Sequence, residues 1–247
     1  MTELVVALQF LVRLPVPNRG DVTIADFGRS MRWFPLVGAG IGLLVGAADA
    51  LLAPVVPVQA RSVLAVILLA AITGALHLDG LMDACDGLFA FATPERRLEI
   101  MRDSRVGSFG IVGAATILLL KFAALQSLPA DRRLVAFVLM GAISRWAMVF
   151  ATTRFPAARP DGLGHDFKES AGGAELAWAS GWALAIALFG GPSGLAALVL
   201  AVLSTWLAAR YTMTKIPGLT GDVYGAISEG TEALVALVLT PLWHALP

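Results

Sequence analysis

The chain has 247 residues, 57% of them hydrophobic and only 15% charged, with a mean hydropathy of +0.78. A soluble domain carries about a quarter charged residues, so this composition excludes a soluble globular protein and requires a polytopic membrane protein. The 18 basic and 18 acidic residues cancel, which leaves no cationic excess for binding nucleic acid, and the single cysteine, Cys85, excludes an internal disulfide and a cysteine-built zinc site.

In chain order, residues 1–17 come first, with Glu3 at the start and Arg13 inside. That charge pattern does not fit a cleavable signal sequence. Apolar residues at 4, 5, 8, 11 and 12 form one helical stripe, so 1–32 is expected to be an interfacial segment. Seven apolar segments follow, near 34–56, 62–78, 108–128, 133–152, 174–190, 193–210 and 232–246. Most reach the roughly 20 residues that cross a bilayer. The expectation is an all-α integral membrane domain, residues 1–247, with six or seven spans. Gly38, Gly42 and Gly46 recur every fourth residue in the first span, a small-residue face for close helix packing.

Basic residues set the orientation. With a cytoplasmic N-terminus, thirteen fall on the cytoplasmic side (Arg13, Arg19, Arg29, Arg32, Arg96, Arg97, Arg102, Arg105, Arg154, Arg159, Lys168, Arg210, Lys215) and three on the other (Arg61, Arg132, Arg133). This positive-inside bias predicts cytoplasmic loops at 79–107, 153–173 and 211–231, which hold most of the unusual residues.

The first loop opens with His77-Leu-Asp-Gly-Leu-Met-Asp-Ala-Cys-Asp-Gly87. Asp79, Asp83 and Asp86 stand at i, i+4 and i+7, within about 60° on one helix face. Three like charges beside an apolar span need a counter-ion. Mg²⁺ takes carboxylate oxygens and bridges them to substrate phosphates, so these acids read as metal ligands for a phosphorylated substrate. Cys85, within the motif, reads as a space-filling residue.

Thr93-Pro94 predicts a helix start. That helix would set Glu99 and Asp103 four apart on one face, Glu99 as a further metal ligand, with Arg102 and Arg105 clamping phosphate oxygens. Glu95, Arg96 and Arg97 read as a solvated face. The segment 160–170 reads as a flexible loop able to cover a site, with His165 a solvated residue. In Lys215–Glu229, Gly218, Gly221 and Gly225 allow backbone N–H groups near an anion. Thr220, Gly221, Asp222 and Glu229 are candidate substrate or metal contacts, and Glu232 extends the acidic run. Within spans, Arg145 is the best phosphate contact, Lys121 is expected to snorkel or pair internally, and Asp49 to reach the far interface.

These residues carry a family resemblance. His77-Leu-Asp-Gly-Leu-x-Asp-x-x-Asp-Gly87 followed by Arg97-Leu-Glu-Ile-Met-Arg-Asp-Ser-Arg-Val-Gly-Ser-Phe-Gly110 resembles the cobalamin (5′-phosphate) synthases, also called adenosylcobinamide-GDP ribazoletransferases. Phe10-Leu-x-Arg-Leu-Pro-Val-Pro17, Phe34-Pro35-Leu-Val-Gly38 and Gly218-x-Thr-Gly-Asp-x-x-Gly-Ala226 with Glu229 match the same family. The resemblance implies a multi-pass enzyme of the bacterial inner membrane, active on the cytoplasmic face. It would join adenosylcobinamide-GDP to α-ribazole or its 5′-phosphate and release GMP, late in cobalamin biosynthesis, with Mg²⁺ as cofactor. It leaves homo-oligomerisation open.

A weaker likeness is to the CDP-alcohol phosphotransferases, through Asp83-x-x-Asp86-Gly87-x-x-Ala90. Phe91 stands where that family has Arg, Glu99 stands where it has its first later Asp, and the spacing is shorter. In that analogy the last acid, Asp103, is the catalytic base, with Asp222 as the other candidate. The two alternatives are a CDP-alcohol phosphotransferase acting on phospholipid and a transporter of anionic metabolites using Asp79–Asp86 and Arg145. No inverted repeat supports transport.

Overall fold

The computed structural model describes residues 2–13, 23–161 and 163–245, and the described residues are helical apart from short connections. Pro15 and Pro17, part of the expected interfacial segment and of the family motif, and Arg19, counted on the cytoplasmic side, lie outside the described residues. The helices are α1 (Thr2–Leu11), α2 (Ile24–Ser30), α3 (Phe34–Leu52), α4 (Val58–Thr73), α5 (Leu76–Phe89), α6 (Pro94–Ile100), α7 (Ser108–Ser127), α8 (Arg133–Arg154), α9 (Leu163–Ser170), α10 (Gly173–Phe189), α11 (Gly191–Met213) and α12 (Gly221–Ala245). Five stretches are long and apolar enough to cross a membrane: Ile24–Leu52, α7, α8, α11 and Gly221–Trp243. The pair of α4 and α5, bent by 91°, makes a sixth where it counts as one broken span, and α10 is a shorter apolar helix.

α8 is the hub, buried along most of its length and packed against α3, α10, α11 and α12. The expected small-residue face forms its contact with α3. A Cβ on Gly38 would run into the Gly141 carbonyl, and one on Gly42 into that of Phe137. Without those atoms the two backbones approach closely, as small residues permit between membrane helices.

Four sequence expectations are corrected by the helices. The apolar run 62–78 is not one element, because Gly74 (φ 60°) and Ala75 (φ 56°) are left-handed and turn α4 into α5 through 91°. His77 and the acids therefore ride on a separate helix rather than in a loop. Similarly, 211–231 is only partly loop, since α12 begins at Gly221 and carries Asp222, Glu229 and Glu232 into the bundle. The helix begun at Thr93 ends at Ile100, so Asp103 lies beyond it and shares no helical face with Glu99. Finally, 163–170 is helix α9, docked on α2 by Phe167, which stacks edge-on against Phe27 at 5.8 Å.

Asp49 does not reach the far interface. It is 4% exposed and accepts Arg133 Nη2 at 2.6 Å, Arg133 Nε at 2.8 Å and Arg61 Nη1 at 2.7 Å. This buried triad joins α3, α4 and α8. Lys121 pairs internally, donating to Glu229 at 2.6 Å and to Glu232 at 2.5 Å.

Candidate functional site

A cavity of about 280 Å³ opens where α1, α3, α5, α8, α9 and α12 converge with the loop 155–161. Two local features assemble it. At Gly80, a Cβ would lie 3.1 Å from the Asp222 Cα, and at Gly225 one would lie 2.9 Å from the His77 carbonyl oxygen. Glycines at both points let α5 and α12 cross in near-contact, which sets Asp79 beside Asp222. The second feature is a short parallel bridge between Ala157 and Leu219. The Leu219 N–H donates to the Pro156 carbonyl and the Ala158 N–H to that of Leu219, each at 2.8 Å. Gly218 makes room for it, since a Cβ there would meet the backbone of Pro156 and Ala157. The bridge carries Arg159 to the cavity, its Nη1 3.9 Å from Asp222 Oδ2.

Asp79, Thr220, Gly221 and Asp222 line the cavity, as does His165. Thr220 caps α12: its hydroxyl oxygen accepts the Val223 N–H at 3.3 Å, and the hydroxyl donates to Asp222 Oδ2 at 3.2 Å. Of the three glycines expected to face an anion, Gly218 and Gly225 serve packing. Gly221 alone has open space at its α-carbon, at the N-terminus of α12. Asp83 lies one turn along α5 from Asp79, half-buried, and feels the negative charges of Asp79, Asp222 and Asp86.

The other candidates are placed elsewhere. Asp86 is buried, and its oxygens accept the N–H groups of Gly107 at 2.7 Å and Gly110 at 2.8 Å. It therefore binds the first turn of α7, where a carboxylate offsets unpaired amides and the helix dipole. Glu99 is exposed and pairs with Arg96 at 2.7 Å. Arg102 pairs with Asp161 at 2.6 Å, at the cavity's edge. Asp103 pairs with Arg105 at 2.8 Å, and these hydrogen bonds from Arg105 hold its carboxyl down at about 2. Arg145 donates to Glu232 and to Ser144, so it and Glu229 belong to the buried Lys121 network and not to the cavity. Arg97, expected in solvent, is buried and donates to the carbonyls of Gly87, Leu88 and Ala92, closing the C-terminal end of α5.

Sequence reading counted Arg159 only for orientation, passed over Asp161, and gave His77 no role although it heads the acidic motif. All three line the cavity.

Among the described residues no three His, Cys, Asp or Glu side chains enclose a metal site on their own. Mg²⁺ seldom needs that: it is commonly held by one or two carboxylates, with water and substrate phosphates completing its shell. Asp79, Asp83 and Asp222 suit this mode. They offer hard oxygen donors, and among the described residues their one ion pair is the 3.9 Å contact of Asp222 with Arg159.

A multi-pass helical bundle with converging carboxylates, an arginine and a helix N-terminus around one cavity has the equipment of a membrane-embedded enzyme that handles phosphate esters. The sequence pattern of the cobalamin-5-phosphate synthase family matches residues 3–240, and the chain belongs to that family. It is 41% identical over 244 residues to the adenosylcobinamide-GDP ribazoletransferase of Geotalea daltonii, covering 96% of each chain. The enzyme of the same name from Synechococcus elongatus is 41% identical over 246 residues (97% and 96% covered), and that from Desulfitobacterium hafniense 39% over 256 (99% and 98%). No solved structure matches the chain.

Proposed function

We propose that this chain is an adenosylcobinamide-GDP ribazoletransferase of the bacterial inner membrane, with the cavity as its active site on the cytoplasmic face. The acceptor is α-ribazole or its 5′-phosphate, the products are adenosylcobalamin or its 5′-phosphate and GMP, and the cofactor is Mg²⁺. Full-length similarity to relatives of that name supports the activity. The observation that carries the site is the convergence of Asp79, Asp83 and Asp222, from α5 and α12, beside Arg159.

In this reading Asp79 and Asp83 hold the Mg²⁺, which when bound supplies charge neutralisation at the diphosphate. Arg159 and the amides at Gly221 bind phosphoryl oxygens, where fixed donors favour developing negative charge. The ribazole 3′-hydroxyl oxygen forms a bond to the phosphorus on the cobinamide side, the diphosphate P–O bond breaks, and GMP leaves. Asp222 accepts the hydroxyl proton. Asp222 is preferred to Asp103 because it lines the cavity, whereas Asp103 is engaged by Arg105 outside it. A carboxyl held at about 2 is also a feeble proton acceptor.

Purified protein in nanodiscs, given adenosylcobinamide-GDP, α-ribazole and Mg²⁺, should release GMP and form the joined corrinoid. CDP-diacylglycerol with a simple alcohol should give no CMP. The reverse pattern would overturn the assignment.

A further inference from the structure

The cavity lining divides by chemistry. Acids and Arg159 come from α5, α12 and the 155–161 loop, while α1, α3 and α9 contribute Phe10, Phe34 and Phe167. Phe167 meets Phe10 edge-on at 4.9 Å and Phe34 at 5.9 Å, so the three form one aromatic wall. His77 also lines the cavity. It is 2% exposed, and neither ring nitrogen has a hydrogen-bond partner among the described residues. Buried polar side-chain atoms are nearly always paired, and a neutral imidazole offers one donor and one acceptor. Arg159 Nε and Tyr224 Oη, which also line the cavity, are likewise unpaired among the described residues, so a wall of aromatic rings beside unmet polar atoms suits a planar heteroaromatic ring that carries a hydrogen-bonding atom. The volume, about 280 Å³, lies at the small end of the ligand-pocket range of roughly 300–1,000 Å³. It admits a small heterocycle with part of its sugar and excludes a corrinoid macrocycle.

We infer that this cavity is the acceptor subsite and that His77 reads the acceptor's base. The benzimidazole ring of α-ribazole lies against Phe10, Phe34 and Phe167, its free ring nitrogen accepts the His77 N–H, and its ribose faces Asp79 and Asp222. The corrinoid stays outside, attached through its diphosphate. This rests on the proposed ribazoletransferase activity and adds which part of the molecule holds which substrate.

The test compares α-ribazole with the corresponding indole riboside, in which C–H replaces the free ring nitrogen. Wild-type enzyme should use the indole riboside with kcat/KM lower by about 10–100-fold, the scale of one unmet buried hydrogen bond. His77→Phe should bring α-ribazole down to the indole level and erase the discrimination, with KM for adenosylcobinamide-GDP unchanged. His77→Gln, which keeps an N–H donor, should retain part of it. Equal use of both ribosides by wild type would overturn the inference even if the variants fail to fold, and so would undiminished discrimination in His77→Phe. Absence of any turnover with α-ribazole is a separate result: it would overturn the activity assignment and this subsite with it.

Discussion

The carboxylate of Asp86 accepts the N–H of Gly110 at 2.8 Å, linking α5 to the first turn of α7 across 24 residues. With Gly107 on its other oxygen, Asp86 joins two helices, while Asp79, on the same helix, lines the cavity and Asp83, one turn on, feels the charges of Asp79 and Asp222. The acidic triplet therefore splits into two jobs, which substitution should separate. Asp86→Asn puts an amide NH₂ where an acceptor is needed and leaves a buried N–H unmet, at a cost of about 1–3 kcal/mol. Its melting temperature in detergent should fall, and raised Mg²⁺ should not restore it. Asp83→Asn should melt like wild type and lose at least about 100-fold in turnover, because it removes charge from a group acting as a unit.

Chelation should abolish turnover and Mg²⁺ should restore it. Asp79→Asn should shift the Mg²⁺ dependence to higher concentration, with partial rescue at high Mg²⁺. Full turnover in excess chelator would remove the metal from the reaction.

Asp103 and Asp222 can be told apart by pH. A carboxyl depressed to about 2 stays ionised from pH 5 to 9. Any stability it contributes is present above its unfolded value and is lost only as pH falls through about 2. Asp103→Asn should thus leave the pH–rate profile unchanged and the rate within about threefold, the scale of a surface pair. Asp222→Asn should lower kcat by about 10²–10⁴-fold, the usual contribution of a general base. A collapse with Asp103→Asn and none with Asp222→Asn would reverse the assignment.

The Lys121 network should behave as a closed set. Lys121→Met leaves Glu229 and Glu232 without their shared cation in a buried site, where breaking a pair costs about 3–5 kcal/mol. Adding Glu229→Gln removes one of the stranded charges and should recover a large part of the lost melting temperature. If Lys121→Met melts like wild type, the network contributes no stability.

The helices and the acidic face were legible because hydrophobic runs and i, i+4 spacing are local. What each acid touches was not. The partners of Asp86 are backbone amides, which have no sequence signature, and Glu232 is neutralised by Lys121, 111 residues away. Gly218, Gly221 and Gly225 made the start of α12 look like a loop. In the structure Gly225 is where α12 crosses α5, so helix contact retains the glycine that propensity disfavours. Asp103 was placed on a helix by spacing, but α6 stops at Ile100, where Met101 turns in against Gly87. Arg159 was counted only for orientation because the Ala157–Leu219 bridge that brings it to Asp222 is a long-range contact.

Orientation can be decided directly. The cavity lies at the N-terminal ends of α3 and α12 and the C-terminal end of α8, while the Asp49 triad lies at the opposite ends of α3 and α8. Two of the three arginines assigned to the far side, Arg61 and Arg133, are thus buried and paired with Asp49. The third, Arg132, is exposed and 3.5 Å from Asp131. In a Cys85→Ala background, a cysteine at exposed Glu95 should react with a membrane-impermeant maleimide only after the cytoplasmic face is opened. A cysteine at exposed Val55 should react in intact spheroplasts. Labelling of Glu95→Cys from outside, with Val55→Cys protected, would invert the topology and place the cavity on the wrong side for a cytoplasmic nucleotide substrate.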